Sequence, residues 1–349
     1  MKNKKTMILL IVLAILVVIA GGILIYKVIK NKNTIPVTED ITNSESEDSG
    51  AMVVQQQKNI KIFNGNDRPI AVMIDNHSGA WPQANLNKAY MVYEIVVEGG
   101  ETRLMALFKG QNLEKIGPVR SSRHYFLDYA LENDAIYVHH GYSPQAKDDW
   151  SKLGVDRIEV NESTTGWRDK TVSKTYEFTL FSSIEKLNNG IGSKRTERNK
   201  DLLLNYSADE LDFSTIENTK VANTININYS NTTRNNYVYD ADNKVYLRSV
   251  NGTKQTDYVT GKQLTVKNII VYSVKYSTID DYGRQTIDNV GTGNGYYISN
   301  GVAVPITWKK DSRSSQTIYK LENGEKLNVN DGNTFIQIMP TSGSLEITE

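Results

Sequence analysis

Hydrophobic and polar positions divide the chain into stretches of different character. From Met7 to Tyr26 runs an apolar segment without a single charge. At about 1.5 Å per residue, a helix of that length covers roughly the 30 Å hydrocarbon layer of a bilayer. A cleaved leader usually has an apolar region of only about 7 to 15 residues, so the run predicts a retained transmembrane anchor over 7–29 behind a short stub, 1–6. From 30 to 64 the chain is polar, with NTIPVTEDITNSESEDSG from Asn33 offering almost nothing to bury. That composition predicts a flexible stalk.

Over 65–210 the pattern alternates between strand-like and helix-like segments. Ile70 to Asp75 reads as a buried strand, with Met91 to Glu98, Thr102 to Phe108 and Ala135 to His139 as three more. Arg120 to Glu132 places Tyr125, Leu127, Tyr129 and Leu131 on a partly apolar helical surface, and Ser143-Pro144 supplies an N-cap and a first-turn proline for a second helix. This is an α/β domain. Helical periodicity then stops, and 215–349 reads as a mostly-β domain punctuated by Asn251-Gly252, Asn300-Gly301 and Asn323-Gly324, pairs that suit tight hairpins. Gln263 to Tyr276 is long and apolar enough for a central strand pair or one bent strand.

Charge changes the picture little. The chain has 40 basic and 40 acidic residues and no basic run beyond the anchor's flanks, so nucleic acid is not an expected partner. Lys2, Lys4 and Lys5 precede the anchor and Lys27, Lys30 and Lys32 follow it, so lysine counts alone do not orient it. A short stub before a long body is the signal-anchor arrangement, which places the body outside the cytoplasm. No small-x-small cleavage pattern follows the run, and the absence of cysteine excludes a lipid-modified N-terminal cysteine.

All four histidines, His77, His124, His139 and His140, fall in the first domain. Asp75-Asn76-His77 ends one strand and His139-His140-Gly141 another, and the carboxyl ends of parallel strands face the ligand crevice in α/β sheets. The structural alternative is that Asp75-Asn76 caps a turn and each histidine sits in a satisfied core. A metal site is not expected, since no HExxH or cysteine ligand is present and adjacent His139 and His140 would face opposite sides of a strand. No nucleotide loop of the GxxxxGK[ST] type and no GxSxG nucleophile elbow occurs, so no cofactor is expected. The glycines of Gly291-Thr292-Gly293-Asn294-Gly295 lack a following helix and resemble a phosphate loop only superficially.

Gly117-Pro118-Val119-Arg120-Ser121-Ser122-Arg123 reads as a turn entering a helix whose first turn carries two arginines and two hydroxyls. Free N–H groups and guanidiniums there suit a carboxylate or phosphate. Alternatively Arg120 and Arg123 pair with Glu94, Glu98 or Glu101 on the neighbouring strands. The ligand-binding candidates are therefore Asn76, Arg103, Arg120, Ser121 and Arg123. Asp75, Glu94 and His140 are the catalytic candidates if the chain cleaves a wall polymer, because glycoside hydrolysis needs two carboxylates about 5 to 10 Å apart. Tyr296, Tyr297 and Trp308 could offer an aromatic surface, or lie half-buried in a sheet as their β propensity favours.

RPIAVMIDN, AYMVYEIVVEGGETRLMALF, IGPVRSSRHYFLDYALE, VHHGYSPQA, GTGNGYYISNGVAVPITWKK and LNVNDGNTFIQI, in this order, resemble the YerB-like family, two-domain proteins of Gram-positive bacteria classed as lipoproteins. The resemblance covers nearly all the chain after the stalk and implies an extracytoplasmic protein of unassigned activity. Two departures stand out. Family members commonly carry a lipid-attachment cysteine where this chain has its apolar run, and many show a His-Asn pair where Phe178-Thr179 stands here. Three functions follow as expectations. The first is an envelope protein binding an anionic ligand such as peptidoglycan or another wall component. The second is a wall hydrolase or lyase using Asp75 or Glu94, and the third a scaffold docking a membrane protein.

Overall fold

The first half builds strands β1 (Ile70–Asp75), β2 (Met91–Val96), β3 (Thr102–Phe108), β4 (Ile136–His139) and β5 (Arg157–Glu159), with helices α1 (His124–Glu132), α2 (Pro144–Lys152) and α3 (Ile184–Asn189). These ranges come from a computed structural model that describes Ile60 and residues 66–349. The predicted anchor and, apart from Ile60, the stalk lie outside the described residues. Among the described residues no helix is long and apolar enough to cross a membrane.

Local chemistry accounts for these elements. Ser143 caps α2 as its sequence predicts, its hydroxyl accepting from the Ala146 N–H with Pro144 in the first turn. Ser183 caps α3 in the same way through the Lys186 N–H. β1, β2 and β3 are buried at every position, which is why they read as continuous apolar runs rather than alternating ones.

The second half is almost entirely strand: β6 (Thr224–Asn228), β7 (Arg234–Asp240), β8 (Val245–Val250), β9 (Asn268–Val274), β10 (Gly291–Ser299), β11 (Val302–Lys310), β12 (Ile318–Leu321), β13 (Thr334–Pro340) and β14 (Ser344–Thr348). The described chain is thus mostly strand with few helices. Asn251-Gly252 and Asn300-Gly301 make the expected turns, all four residues at positive φ. Gln263 to Tyr276 divides, its first part pairing with β8 and its second forming β9. The run from Gly291 to Gly295 belongs to β10 because Trp308 lies across Gly293, where a Cβ would meet the indole at 2.6 Å. Tyr297 and Trp308 are buried in the sheet and Tyr296 is half-buried, so they form no exposed aromatic surface.

Both halves share one 11-stranded sheet, in which ten strands run in the order β12-β11-β10-β9-β13-β2-β3-β1-β4-β5 and the short strand Lys220–Val221 pairs with β11 as the eleventh. The join is parallel, with β13 between β9 and β2. β6, β7, β8 and β14 form most of a second, 6-stranded sheet. One face of the main sheet buries Met73, Tyr93 and Met105 with Tyr125, Phe126 and Tyr129 of α1. The other buries Val72, Leu104 and Phe335 with Ile225, Tyr237 and Tyr246 of the second sheet.

Helix α1 starts at His124, not at Arg120 as the sequence predicts. Residues 117–123 are instead an extended strap. The N–H groups of Val119, Arg120 and Ser122 donate to the carbonyls of Leu180, Met73 and Gly141, so partners on other elements satisfy backbone groups that a helix would otherwise have used.

Candidate functional site

β1 and β4 are parallel neighbours, paired from Ile70↔Ile136 to Val72↔Val138. Beyond that they part, and the strap fills the fork: Asp75 N–H donates to Pro118, Arg120 N–H to Met73, and His140 N–H to Arg120. The carboxyl ends of both strands, carrying Asp75-Asn76-His77 and His139-His140, thus flank Arg120, Ser121 and Arg123.

Asp75 is 5% exposed. Its Oδ2 lies 2.6 Å from Arg120 Nε, and its Oδ1 accepts the His77 N–H at 2.8 Å. Arg123 makes a two-pronged pair with Glu98 at 2.6 and 2.8 Å. Burial raises the Glu98 pKa, but the bonds and charge of Arg123 outweigh it and hold the carboxyl below its ordinary value. The structural alternative therefore accounts for Arg120 and Arg123, through Asp75 and Glu98 rather than Glu94 or Glu101.

Arg103 differs. It sits opposite Asp75 in the β1–β3 register and is 7% exposed, yet the only side-chain hydrogen bond it makes among the described residues runs from Nη1 to the Ser121 carbonyl at 2.7 Å. Burial, then the positive charges of Arg123 and Arg120, bring its pKa down to about 10 against the opposing pull of Asp75 and Glu98. Three guanidiniums here face two paired carboxylates.

Glu94 lies deeper, with no solvent exposure. Its Oε1 accepts from Thr102 Oγ1 at 2.8 Å and Asn76 Nδ2 at 3.2 Å, and its Oε2 from Arg248 Nη2 at 2.7 Å and Asn235 Nδ2 at 2.8 Å. Burial alone would lower the Arg248 pKa, but the Glu94 carboxylate and Tyr237 carry it above its ordinary value. Asn76 completes this layer, its Oδ1 accepting from Gln83 and Gln255. Both oxygens of Glu94 and Oδ1 of Asp75 are thus hydrogen-bonded within the protein, whereas Asp75 Oδ2 has only its ion-pair contact with Arg120.

The two adjacent histidines are held alike. His140 Nε2 faces Arg168 Nη2 at 3.3 Å and its Nδ1 faces the Val160 carbonyl at 2.9 Å. His139 Nε2 faces Arg157 Nη1 at 3.2 Å and its Nδ1 the Gly141 carbonyl at 2.9 Å. Guanidinium only donates and a carbonyl only accepts, so in both rings these contacts suit the tautomer that carries its N–H on Nδ1. Burial lowers the His139 pKa to about 4. His124 follows Arg123 at the start of α1, and its Nε2 lies 3.1 Å from Thr286 Oγ1.

Arg168 carries no signal in the sequence, and Phe178 is marked there only by the departure expected from the family resemblance. Arg168 joins His140 to Glu162 at 2.9 Å and to the Tyr176 carbonyl at 2.7 Å, fastening the loop after β5. Phe178 stacks on the His77 ring, centroids 5.2 Å apart and planes 15° apart. Its neighbour Thr179 is buried and bonds the Tyr176 carbonyl. Phe178 therefore packs against the residue that comes two positions after the end of β1.

Comparison with known proteins agrees with this two-part architecture. Residues 57–198 match the model described as "Protein of unknown function (DUF3048) N-terminal domain", and 225–336 match its C-terminal domain. A Bacillus subtilis (strain 168) protein named "Putative lipoprotein YerB" is 31% identical over 291 residues, 81% of this chain and 84% of that one. The crystal structure of the YerB protein from Bacillus subtilis superposes with a TM-score of 0.69 at 29% identity, covering 83% of this chain and 96% of that one. With both domain models matched in order and the relative aligned over most of its length, the chain belongs to the DUF3048 family of YerB-like proteins.

Proposed function

We propose that the protein is held at the outer face of the cell membrane and binds an anionic ligand, a phosphate or carboxylate of a wall component, in the crevice between the ends of β1 and β4. Arg103 carries this reading. It is a buried cation beside Arg120 and Arg123 with one neutral acceptor, and a bound anion would supply the counter-charge that Asp75 and Glu98 already give its neighbours. Ser121 and His140, both half-buried, border the same place, while Asn76 is taken up in the Glu94 layer beneath it. Binding is favoured over hydrolysis because the oxygens of Asp75 and Glu94 are occupied. The outward location rests on the lipoprotein name of the Bacillus relative and on the stub-and-body order of the sequence.

Thermal unfolding of the full-length chain in rising inorganic phosphate or succinate, against chloride at matched ionic strength, tests the site. A ligand that binds only the folded state raises Tm with concentration. Arg103→Met should abolish that rise without lowering the Tm measured in chloride. Equal shifts in all three salts, or a shift retained in Arg103→Met, would overturn the proposal. An alkaline phosphatase fusion after Glu349 tests the location, and is expected to be active.

A further inference from the structure

The outer face of the second sheet carries a pattern that the arginine crevice leaves unused. Along β6 and β7, Ile225, Ile227 and Tyr237 are buried against the main sheet. Asn226, Asn228, Arg234 and Asn236 alternate with them and face the other way.

The strand register lines these outward side chains up in rows. Glu346, Asn226, Asn236 and Ser249 make one row, and Ser344, Asn228 and Arg234 the next. Members of a row stand about 5 Å apart and the rows about 7 Å apart. Within them Asn236 Nδ2 donates to Asn226 Oδ1 at 2.8 Å, Asn226 Nδ2 to Glu346 Oε2 at 3.0 Å, and Asn228 Nδ2 to Ser344 Oγ at 2.9 Å. Two adjoining hollows of about 630 and 390 Å³ lie over this face and share Asn228, Asn231 and Arg234.

Asparagine is depleted in strands because its side chain competes for the backbone. Amides at three strand positions therefore work against the fold rather than for it. β6 is hydrogen-bonded on one side to β7 and on the other to β14, so an incoming chain cannot pair with its backbone and meets side chains alone. The side chains lining the hollows are almost all amides and hydroxyls, with one carboxylate, Glu346, and one guanidinium, Arg234, on opposite sides of β6. A polyanion would call for more cations than Arg234, and an apolar partner for an apolar floor. An amide has two N–H donors and two acceptor lone pairs, so beyond the bonds of the ladder each keeps a donor beside an acceptor, which is what a sugar hydroxyl needs, being both at once. We propose that this face binds an uncharged oligosaccharide lying across the two rows. The site shares no residue with the arginine crevice and stands or falls separately from it.

Saturation-transfer NMR of the full-length chain with the β-1,4-linked tetramer of N-acetylglucosamine or of glucose is the test. Transfer to the sugar protons is expected from at least one tetramer. The double variant Asn228→Val/Asn236→Val removes two amides while adding residues that favour strands, so its Tm should not fall. Its affinity should drop by about tenfold or more, and the single variant Asn236→Thr, which keeps a hydroxyl, should lose less. No transfer from either tetramer, transfer unchanged in both variants, or displacement of the sugar by tripolyphosphate would overturn the proposal.

Discussion

Arg248 Nη2 lies 2.7 Å from Glu94 Oε2, and neither side chain is exposed to solvent. The two residues are 154 positions apart, one on β2 and one on β8, so the pair ties the second sheet to the main one. A buried ion pair adds little over an apolar substitute, but losing one partner leaves a charge stranded in low dielectric. Arg248→Met should therefore cost about 3 to 5 kcal/mol in urea unfolding. Adding Glu94→Gln to it should recover part of that loss. Simple addition of the two single-variant costs would show that the pair is not coupled.

Arg103 is expected to behave in the opposite way. Removing a buried cation that repels Arg120 and Arg123 and has no carboxylate of its own should leave stability unchanged or raise it. Arg123→Met, which strands the partly buried Glu98, should lower it. Urea midpoints of the two variants in chloride buffer check this contrast, and a larger loss for Arg103→Met than for Arg123→Met would refute it.

His139 makes stability depend on pH. Its pKa, near 6.5 in the unfolded chain, falls to about 4 in the folded protein through burial. The native state therefore binds fewer protons than the unfolded state between these values, and stability is lost as pH falls through that window. The full difference is about 3 to 4 kcal/mol at about 1.4 kcal/mol per unit. Asp128, pushed up to about 6 by burial, acts in the opposite direction, since its folded pKa is raised and its contribution is lost as pH rises. Comparing wild type with His139→Phe isolates the histidine. The variant should be less stable at pH 7, where it lacks the bond to Gly141, and the gap should narrow toward pH 4. A gap independent of pH would refute the assignment.

The strap depends on Gly117. Its φ is +141°, and an added Cβ would sit 2.9 Å from both the Leu180 carbonyl oxygen and the Val119 nitrogen. Neither backbone atom can swing aside, so Gly117→Ala should destabilise by about 1 to 3 kcal/mol. It should also weaken any anion-dependent Tm rise, because Arg120 and Arg123 hang from the displaced segment. An unaltered rise would show that the strap does not position them.

Much of the secondary structure was legible along the chain. β1 and β3 match their apolar runs at both ends, and α2 begins where Ser143-Pro144 announces it. The start of α1 was not legible, since Arg120 to Arg123 suit a helix as well as a strap, and the carbonyls that claim the N–H groups of Arg120 and Ser122 lie on β1 and after β4. The candidate site divides in the same way. Clustering of polar residues at strand ends pointed to Asp75, Asn76 and the arginines, but nothing near Glu94 marks it as the partner of Arg248, and nothing near His140 marks Arg168.

Sequence by itself determined what depends on neighbours a few positions away: the apolar run of Met7 to Tyr26, the strands, the helix caps, and the Asn-Gly turns, because propensity, periodicity and capping act over short spans. Tertiary structure alone decided that β13 lies between β9 and β2, joining the halves in one sheet, and that Glu94 is spent on Arg248 while Arg103 is left without a carboxylate. Those outcomes turn on contacts between distant residues, where burial makes each pairing costly to leave incomplete, and no local pattern encodes which partner arrives.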